Sequence, residues 1–227
     1  AAALVLLLAL SIPISGEYQE KIDNPPIYIA FHWHMHQPIY YPYESVVQTE
    51  QNGRYPYSVF DIFNERTGPY TSYPPGAVQK GIDSGFEYFG AQVSISGSLI
   101  ENLNELEEYG NGNFQGWKNH WTGILSDTTA LGNPRLDLVA FGYFHPLMGL
   151  IWKDDIREQI QMHRSILHDN FGITDYSKGI FPPENAFAPG MIPELTSEGI
   201  EWVLVDNIHF ERACEGYPFT TAGNLYE

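Results

Sequence analysis

The sequence predicts an α/β fold in which parallel strands are joined by helical connections. Two observations carry this prediction. Segments with the two-residue apolar period of a strand alternate along the chain with segments whose apolar residues recur at helical spacing. Polar residues follow several of the predicted strands, and parallel sheets hold their ligands at the carboxyl ends of the strands. We therefore expect one α/β domain with its functional site at that edge.

The strand pattern and the helical pattern can be assigned segment by segment. Strand-like alternation is found in residues 25–34, 91–95, 136–142, 178–181 and 201–206. Helical spacing is found in residues 76–88, 98–109, 117–131, 154–171 and 189–198. Residues 35–75 are rich in Tyr, Pro and Gly and are too long for a plain connection. They predict a binding loop or a small subdomain.

The composition restricts the class of partner. Among 227 residues, 28 are acidic and 11 are basic, which gives a formal net charge of -17. This charge argues against nucleic acid or an anionic membrane surface as a partner, whereas a neutral ligand is compatible with it. Cys214 is the single cysteine, so the chain has neither an internal disulfide framework nor a multi-thiolate metal site.

The first residues have the pattern of a secretory signal. An apolar run over residues 1–15 ends in small residues at Ser15 and Gly16, and a polar segment follows. The chain begins with Ala and lacks a basic segment before this run, so we expect the sequence to be truncated upstream. The prediction is a secreted protein with residues 1–16 as signal peptide, residues 17–227 as one domain, and no membrane association after cleavage. A membrane anchor is the alternative, although an apolar run of about 15 residues is short for a span.

Glu184 is the first candidate for chemistry. It lies in the apolar, proline-stiffened stretch 179–187, just after the predicted strand 178–181. Burying an unpaired carboxylate costs several kcal/mol, so Glu184 should either face a cleft or have a raised pKa. A solvated Glu in a loop between a strand and a helix is the alternative.

Histidines end two other predicted strands. His32, His34 and His36 alternate and therefore share one face of the first strand, and His145 follows the third strand. Three interpretations stay open at this point: core histidines satisfied by hydrogen bonds, a metal cluster that includes His145, and hydrogen bonding to a sugar or to the catalytic acid. Asp206 ends the fifth strand and either orients Glu184, binds a substrate or has no special role.

Three motifs in this order resemble glycoside hydrolase family 57. Residues 34–38, His-Met-His-Gln-Pro, resemble the first region of that family. Residues 144–146, Phe-His-Pro, resemble its second region, and residues 181–184, Phe-Pro-Pro-Glu, resemble its third. The resemblance extends from about residue 26 to about residue 210. The family includes amylases, amylopullulanases and 4-α-glucanotransferases.

The resemblance implies a (β/α)7 barrel, incomplete in this chain because only part of its strands is present, and a retaining mechanism on α-glucans without cofactor or metal. Glu184 corresponds to the nucleophile, His34 and His36 to substrate-binding histidines, and Phe181 to an aromatic platform under the sugar. His145, a further candidate for substrate binding, stands where relatives can carry a Glu.

The acid/base of the family is an aspartate in a fourth region downstream of the nucleophile. The chain ends before that region, and Asp206 is not its equivalent. We therefore expect the chain alone to be inactive. Two alternatives remain open: a metal-dependent polysaccharide deacetylase or glycosidase on a related barrel, and a carbohydrate-binding protein without catalysis.

Overall fold

The structure, a computed structural model, describes residues 29–206. Within this range parallel strands alternate with helices. The strands are β1 His32–Met35, β2 Ala91–Ile95, β3 Leu136–Leu138, β4 Ala140–Phe141, β5 Gly179–Phe181 and β6 Trp202–Val203. The α-helices are α1 Val46–Gln51, α2 Val59–Asn64, α3 Thr67–Thr71, α4 Tyr73–Asp83, α5 Gly97–Tyr109, α6 Asn119–Thr122, α7 Lys153–Phe171 and α8 Ile192–Ser197. Short 3₁₀ turns are formed by Met148–Leu150, Pro183–Asn185 and Pro189–Met191.

The described strands pair in parallel, as the sequence predicts. They form one sheet in the order β1-β2-β3 and a second in the order β4-β5-β6. Only Val139 separates β3 from β4, and its N–H donates to the Val93 carbonyl, so the predicted third strand is a single run interrupted by one residue. The two sheets therefore continue one another along the chain, and their carboxyl ends lie at a common edge.

Helix α5 illustrates why these segments form helices. Ser96 caps its first turn, and Gly110 ends it in the left-handed conformation with φ 87°, which glycine adopts without steric cost. Leu99, Leu103 and Leu106 lie on one face and are fully buried against the first sheet. Burial of each leucine side chain contributes about 1.5–3 kcal/mol, so packing rather than propensity holds the helix.

Helix α7 covers the second sheet. Asp154 and Asp155 lie in its first turn, where they interact favourably with the helix dipole, and Gly172 follows its last turn with φ 69°. Ile156 and Ile160 belong to the core cluster of the second sheet. His163 is fully buried on the same helix and bonds through Nε2 to the Ile95 carbonyl oxygen at 2.8 Å, which ties α7 to the carboxyl end of β2.

The helix predicted over residues 117–131 is wrong. Only α6 is helical there, although Trp117, Trp121 and Ile124 are buried at the spacing of a helix face. Several N–H groups of this segment bond to the carbonyl three residues earlier, Gly116 precedes the segment in a left-handed conformation, and Gly123 is the residue at which α6 ends. A succession of tight turns therefore buries the same side chains that suggested a continuous helix.

Other boundaries also differ from the prediction. Residues 35–75 contain α1, α2, α3 and the start of α4, so the segment is a small helical subdomain. Helix α4 begins before residue 76 and ends before residue 88. The fifth strand is limited to β6, and the described part of the first begins at His32. The predicted signal peptide and Cys214 lie outside the described residues.

No helix formed by residues 29–206 combines the length and the apolar character needed to cross a membrane.

Candidate functional site

The structure brings together five of the residues that the sequence analysis singled out at the strand ends. His34 lies on β1 and His36 just beyond it, His145 follows β4, and Phe181 and Glu184 end and follow β5. The Nε2 atoms of His34 and His145 are 3.2 Å apart, and the rings of His36 and His145 stack with centroids 4.0 Å apart. Their assembly follows from the shared edge of parallel strands; their roles stay predictions.

Glu184 and His145 face each other from two turns with an unusual backbone. His145 Nε2 is 3.6 Å from Glu184 Oε1. Both residues adopt left-handed conformations, with φ 60° for His145 and φ 56° for Glu184. Such a conformation costs a non-glycine residue about 1–3 kcal/mol and is typical of functional sites. Strain is therefore concentrated where the carboxylate meets the imidazole.

Glu184 is largely exposed to solvent, which agrees with a carboxylate open to a ligand and equally with the solvated loop position that the sequence analysis gave as the alternative. Its side chain is 68% exposed, while that of His145 is 13% exposed. Pro182 and Pro183 are both buried, and they hold the turn that carries Glu184. The carboxylate therefore avoids the cost of burial and is accessible to a ligand.

Aromatic rings form the wall of the site. The ring of Phe181 lies 5.3 Å from that of His34 and 5.0 Å from that of His32. Phe141, which the sequence analysis did not single out, stacks on Phe181 with centroids 5.9 Å apart. Phe181 is half-buried, so part of it remains available to a ligand. Phe141 lies within the third predicted strand but out of phase with Leu136, Leu138 and Ala140, so the alternation did not indicate it.

Two buried serines, Ser94 on β2 and Ser96 just after it, lie behind the histidines and contact them. Ser94 Oγ lies 2.9 Å from His34 Nδ1 and 3.1 Å from His32 Nε2, and Ser96 Oγ lies 2.9 Å from His36 Nδ1. Both serines are fully buried. The sequence analysis missed them, although serines that alternate with Val93 and Ile95 at the end of a predicted strand indicate a polar face.

The imidazoles of the site are neutral near pH 7. Desolvation, with the neighbouring His145 and His32, lowers the pKa of His34 to about 4, although Glu184 opposes this shift. Desolvation and the same His145 lower the pKa of His36 to about 3. Desolvation also lowers the pKa of His145, against the attraction of Glu184. The site therefore offers hydrogen bonds from neutral rings and not a cluster of cations.

The donor geometry gives the metal interpretation no support. His34 and His36 direct Nδ1 at serine hydroxyls, and the near-parallel stacking of His36 on His145, with 22° between the planes, keeps their in-plane lone pairs from converging. Over residues 29–206, no group of three or more His, Cys, Asp and Glu side chains is arranged to hold a metal ion.

Two aromatic residues near the site have roles that the structure defines. Tyr40 donates its hydroxyl hydrogen to Gln37 Oε1 at 2.5 Å, and Gln37 Nε2 donates to the Tyr70 hydroxyl at 2.6 Å, so Tyr40 fixes the turn after β1. Trp33 packs against the core residues of the sheet β1-β2-β3. Trp33 and Tyr73 both line an apolar cleft of about 310 Å³ between β1 and α4. Asp206 ends the described part of the chain.

Comparison of the sequence with protein families gives a match over most of the chain. The model of Glycosyl hydrolase family 57 matches residues 30–224. An alpha-amylase from Niallia circulans is 29% identical over 204 residues, which is 80% of this chain and 16% of that protein. A 4-alpha-glucanotransferase from Thermococcus litoralis is 34% identical over 80 residues, 35% of this chain and 12% of that protein. The chain thus spans a minor part of these relatives.

Solved structures share the fold. The crystal structure of the Thermococcus litoralis 4-alpha-glucanotransferase matches with a TM-score of 0.53 and 22% identity, covering 82% of this chain and 23% of that one. A branching enzyme from Pyrococcus horikoshii matches with a TM-score of 0.53 and 17% identity, covering 78% of this chain and 41% of that one. At these identities the likeness concerns the fold alone.

Proposed function

The chain belongs to glycosyl hydrolase family 57, and from this premise we propose that it is part of a retaining α-glucan hydrolase or glucanotransferase with Glu184 as nucleophile. The observation that carries the proposal is the accessible Glu184 carboxylate, 3.6 Å from His145, at the edge where β1, β4 and β5 end. We also propose that the strands belong to a (β/α)7 barrel and that residues 1–16 direct secretion.

In this mechanism Glu184 attacks the anomeric carbon while the bond from that carbon to the leaving glucan oxygen breaks. A second carboxyl group protonates the leaving oxygen, and a water molecule then releases the sugar from Glu184. We propose that this acid/base is an aspartate of a later region of the parent protein, beyond residue 227, and that the chain alone does not hydrolyse glucan.

His145 is suited to orient the nucleophile. A neutral imidazole that donates from Nε2 to Glu184 Oε1 needs only to shorten the present 3.6 Å separation, and catalytic hydrogen bonds often tighten when substrate binds. Such a bond stabilises the charged form of the carboxylate, which is the form that attacks. The strained backbone at both residues limits the ways in which the two groups can meet.

The remaining site residues are proposed to bind the sugar. His34 and His36 are neutral and point polar ring edges at the site, so they suit the hydroxyl groups of an uncharged oligosaccharide. Phe181 offers an apolar face of the kind on which a sugar ring packs. The net charge of -17 agrees with a neutral substrate.

The test is Glu184→Gln in the full-length parent protein. Loss of the nucleophile is expected to lower the rate of glucan cleavage by at least about a thousandfold, because a neutral amide cannot form the glycosyl ester. Glu87→Gln is the matched control, since Glu87 is exposed and lies away from the site. Undiminished cleavage by the Glu184 variant contradicts the proposal. Glucan binding without cleavage by the unaltered parent favours the carbohydrate-binding alternative.

A further inference from the structure

A pair of buried hydroxyl groups lies behind His36, at the junction of β2 and α5. Ser96 and Ser98 are both fully buried. Ser98 Oγ donates to the Gln37 carbonyl oxygen at 2.7 Å, and the two serine oxygens are 3.2 Å apart. Ser96 Oγ also lies 2.9 Å from His36 Nδ1 and accepts a hydrogen bond from the Leu99 N–H at 3.2 Å. A continuous chain of contacts thus runs from a main-chain carbonyl to an imidazole of the site.

The direction of each hydrogen bond in this chain follows from counting hydrogens. A hydroxyl group has one hydrogen to donate and two lone pairs to accept with, and a carbonyl oxygen only accepts. Ser98 gives its hydrogen to Gln37, so the contact between the serines requires Ser96 to donate to Ser98. Ser96 then has no hydrogen left for His36, and its two lone pairs take the Leu99 N–H and the His36 Nδ1–H.

We propose that Ser96 and Ser98 are positioning residues that hold His36 in the tautomer protonated at Nδ1, so that Nε2 carries a lone pair. Within residues 29–206, His36 forms its hydrogen bond through Nδ1 and not through Nε2, and the residue is only partly buried. The ring is neutral, because desolvation lowers its pKa to about 3. His36 therefore accepts a hydrogen bond. If the protein binds a sugar, as the proposed function has it, a hydroxyl group of that sugar must donate a hydrogen bond to His36 Nε2.

Ser94 does not fix the neighbouring His34 in the same way. Its single hydroxyl contacts both His32 and His34, so its hydrogen can go to either ring. The constraint on His36 arises because Ser98 is committed to a carbonyl oxygen. His34 consequently serves as an internal reference: changes at Ser98 should alter the tautomer of His36 and leave that of His34 as it was.

The test is a two-bond ¹⁵N–¹H correlation spectrum of the ligand-free, ¹⁵N-histidine-labelled chain at pH 7, with His36 assigned by comparison with His36→Gln. The expected result is a protonated Nδ1 and an unprotonated Nε2. In Ser98→Ala the hydrogen of Ser96 is released to bond with Nδ1, and the ratio of the two tautomers is expected to shift towards Nε2–H by at least about fivefold. Ser58→Ala, which removes the N-cap of α2, is the control and should leave the ratio unchanged.

The spectrum of the unaltered chain decides the question even where Ser98→Ala fails to fold. Protonation of His36 at Nε2, or at both nitrogens, overturns the proposal, as does an unchanged ratio in a folded Ser98→Ala variant. The measurement involves neither substrate nor turnover. Its failure is therefore distinguishable from failure of Glu184 as nucleophile.

Discussion

We predict that the free energy of unfolding falls at acid pH partly because of His163. In the variant His163→Gln, the part of this fall that His163 causes should be absent. His163 is fully buried on α7, and its Nδ1 has no hydrogen-bond partner among the described residues. Desolvation lowers its pKa from 6.5 to about 4, although the bond to the Ile95 carbonyl opposes the shift. The Gln side chain keeps an N–H donor for that carbonyl but does not titrate in this range.

The sign of the effect follows from proton binding. Between pH 6.5 and about pH 4 the unfolded chain binds a proton at His163 that the folded chain does not bind, so the stabilisation is present above pH 6.5 and is lost as pH falls. Between pH 7 and pH 5 the loss from this one group amounts to about 2 kcal/mol. Desolvation lowers the pKa values of His34 and His36 as well, so they act in the same direction in both proteins.

The assay is urea unfolding followed by tryptophan fluorescence at pH 7 and pH 5. The free energy of unfolding of the unaltered chain should fall by about 2 kcal/mol more than that of His163→Gln. His120→Gln is the control, because His120 is exposed. An equal fall in the unaltered chain and in His163→Gln would refute the reasoning.

Two further predictions concern packing and charge. Gly179→Ala should destabilise the chain by about 1–3 kcal/mol in the same urea assay, because its Cβ would overlap the Trp202 ring, whereas Gly190→Ala meets open space and should change little. Arg157→Met should cost about 1–3 kcal/mol, because it leaves the Glu194 carboxylate, 10% exposed and 2.6 Å from Arg157 Nη1, without its partner. Lys178→Met removes an exposed pair with Glu201 and should cost less than about 1 kcal/mol. The packing prediction is contradicted if Gly190→Ala lowers the free energy of unfolding as much as Gly179→Ala does. The charge prediction is contradicted if Lys178→Met lowers it as much as Arg157→Met does.

The parts of the fold that the sequence predicts well are those where local signals and packing agree. Helices α5 and α7 combine an apolar face with a terminal glycine, and the structure confirms both, as it confirms β2 and β5. The prediction of a continuous helix over residues 117–131 is wrong because tight turns bury Trp117, Trp121 and Ile124 at the spacing of a helix face. Side-chain periodicity reports which residues are buried and not which backbone geometry buries them.

Some features of the candidate site could be predicted from the sequence, and others depend on tertiary contacts. Strand-end placement was enough to predict that His34, His145 and Glu184 come together, since parallel strands share an edge. The left-handed backbone at His145 and Glu184 is imposed by tertiary contacts, and no local motif of these residue types indicates it. The hydrogen bonds between Ser94 and His34 and between Ser96 and His36, whose partners are sixty positions apart, likewise depend on strand register.

The central claim is that Glu184 forms a bond to the sugar, and covalent trapping tests it most directly. The full-length parent is incubated with an α-glucosyl fluoride whose glucosyl ester is hydrolysed more slowly than it forms. Fluoride leaves without protonation by an acid. The reaction is then quenched, and the protein is digested for peptide mass spectrometry. The account predicts one glucosyl unit esterified to Glu184, in a peptide that includes residues 179–187. A glucosyl ester on a different residue, or consumption of the fluoride in a single turnover with no ester on Glu184, would contradict it.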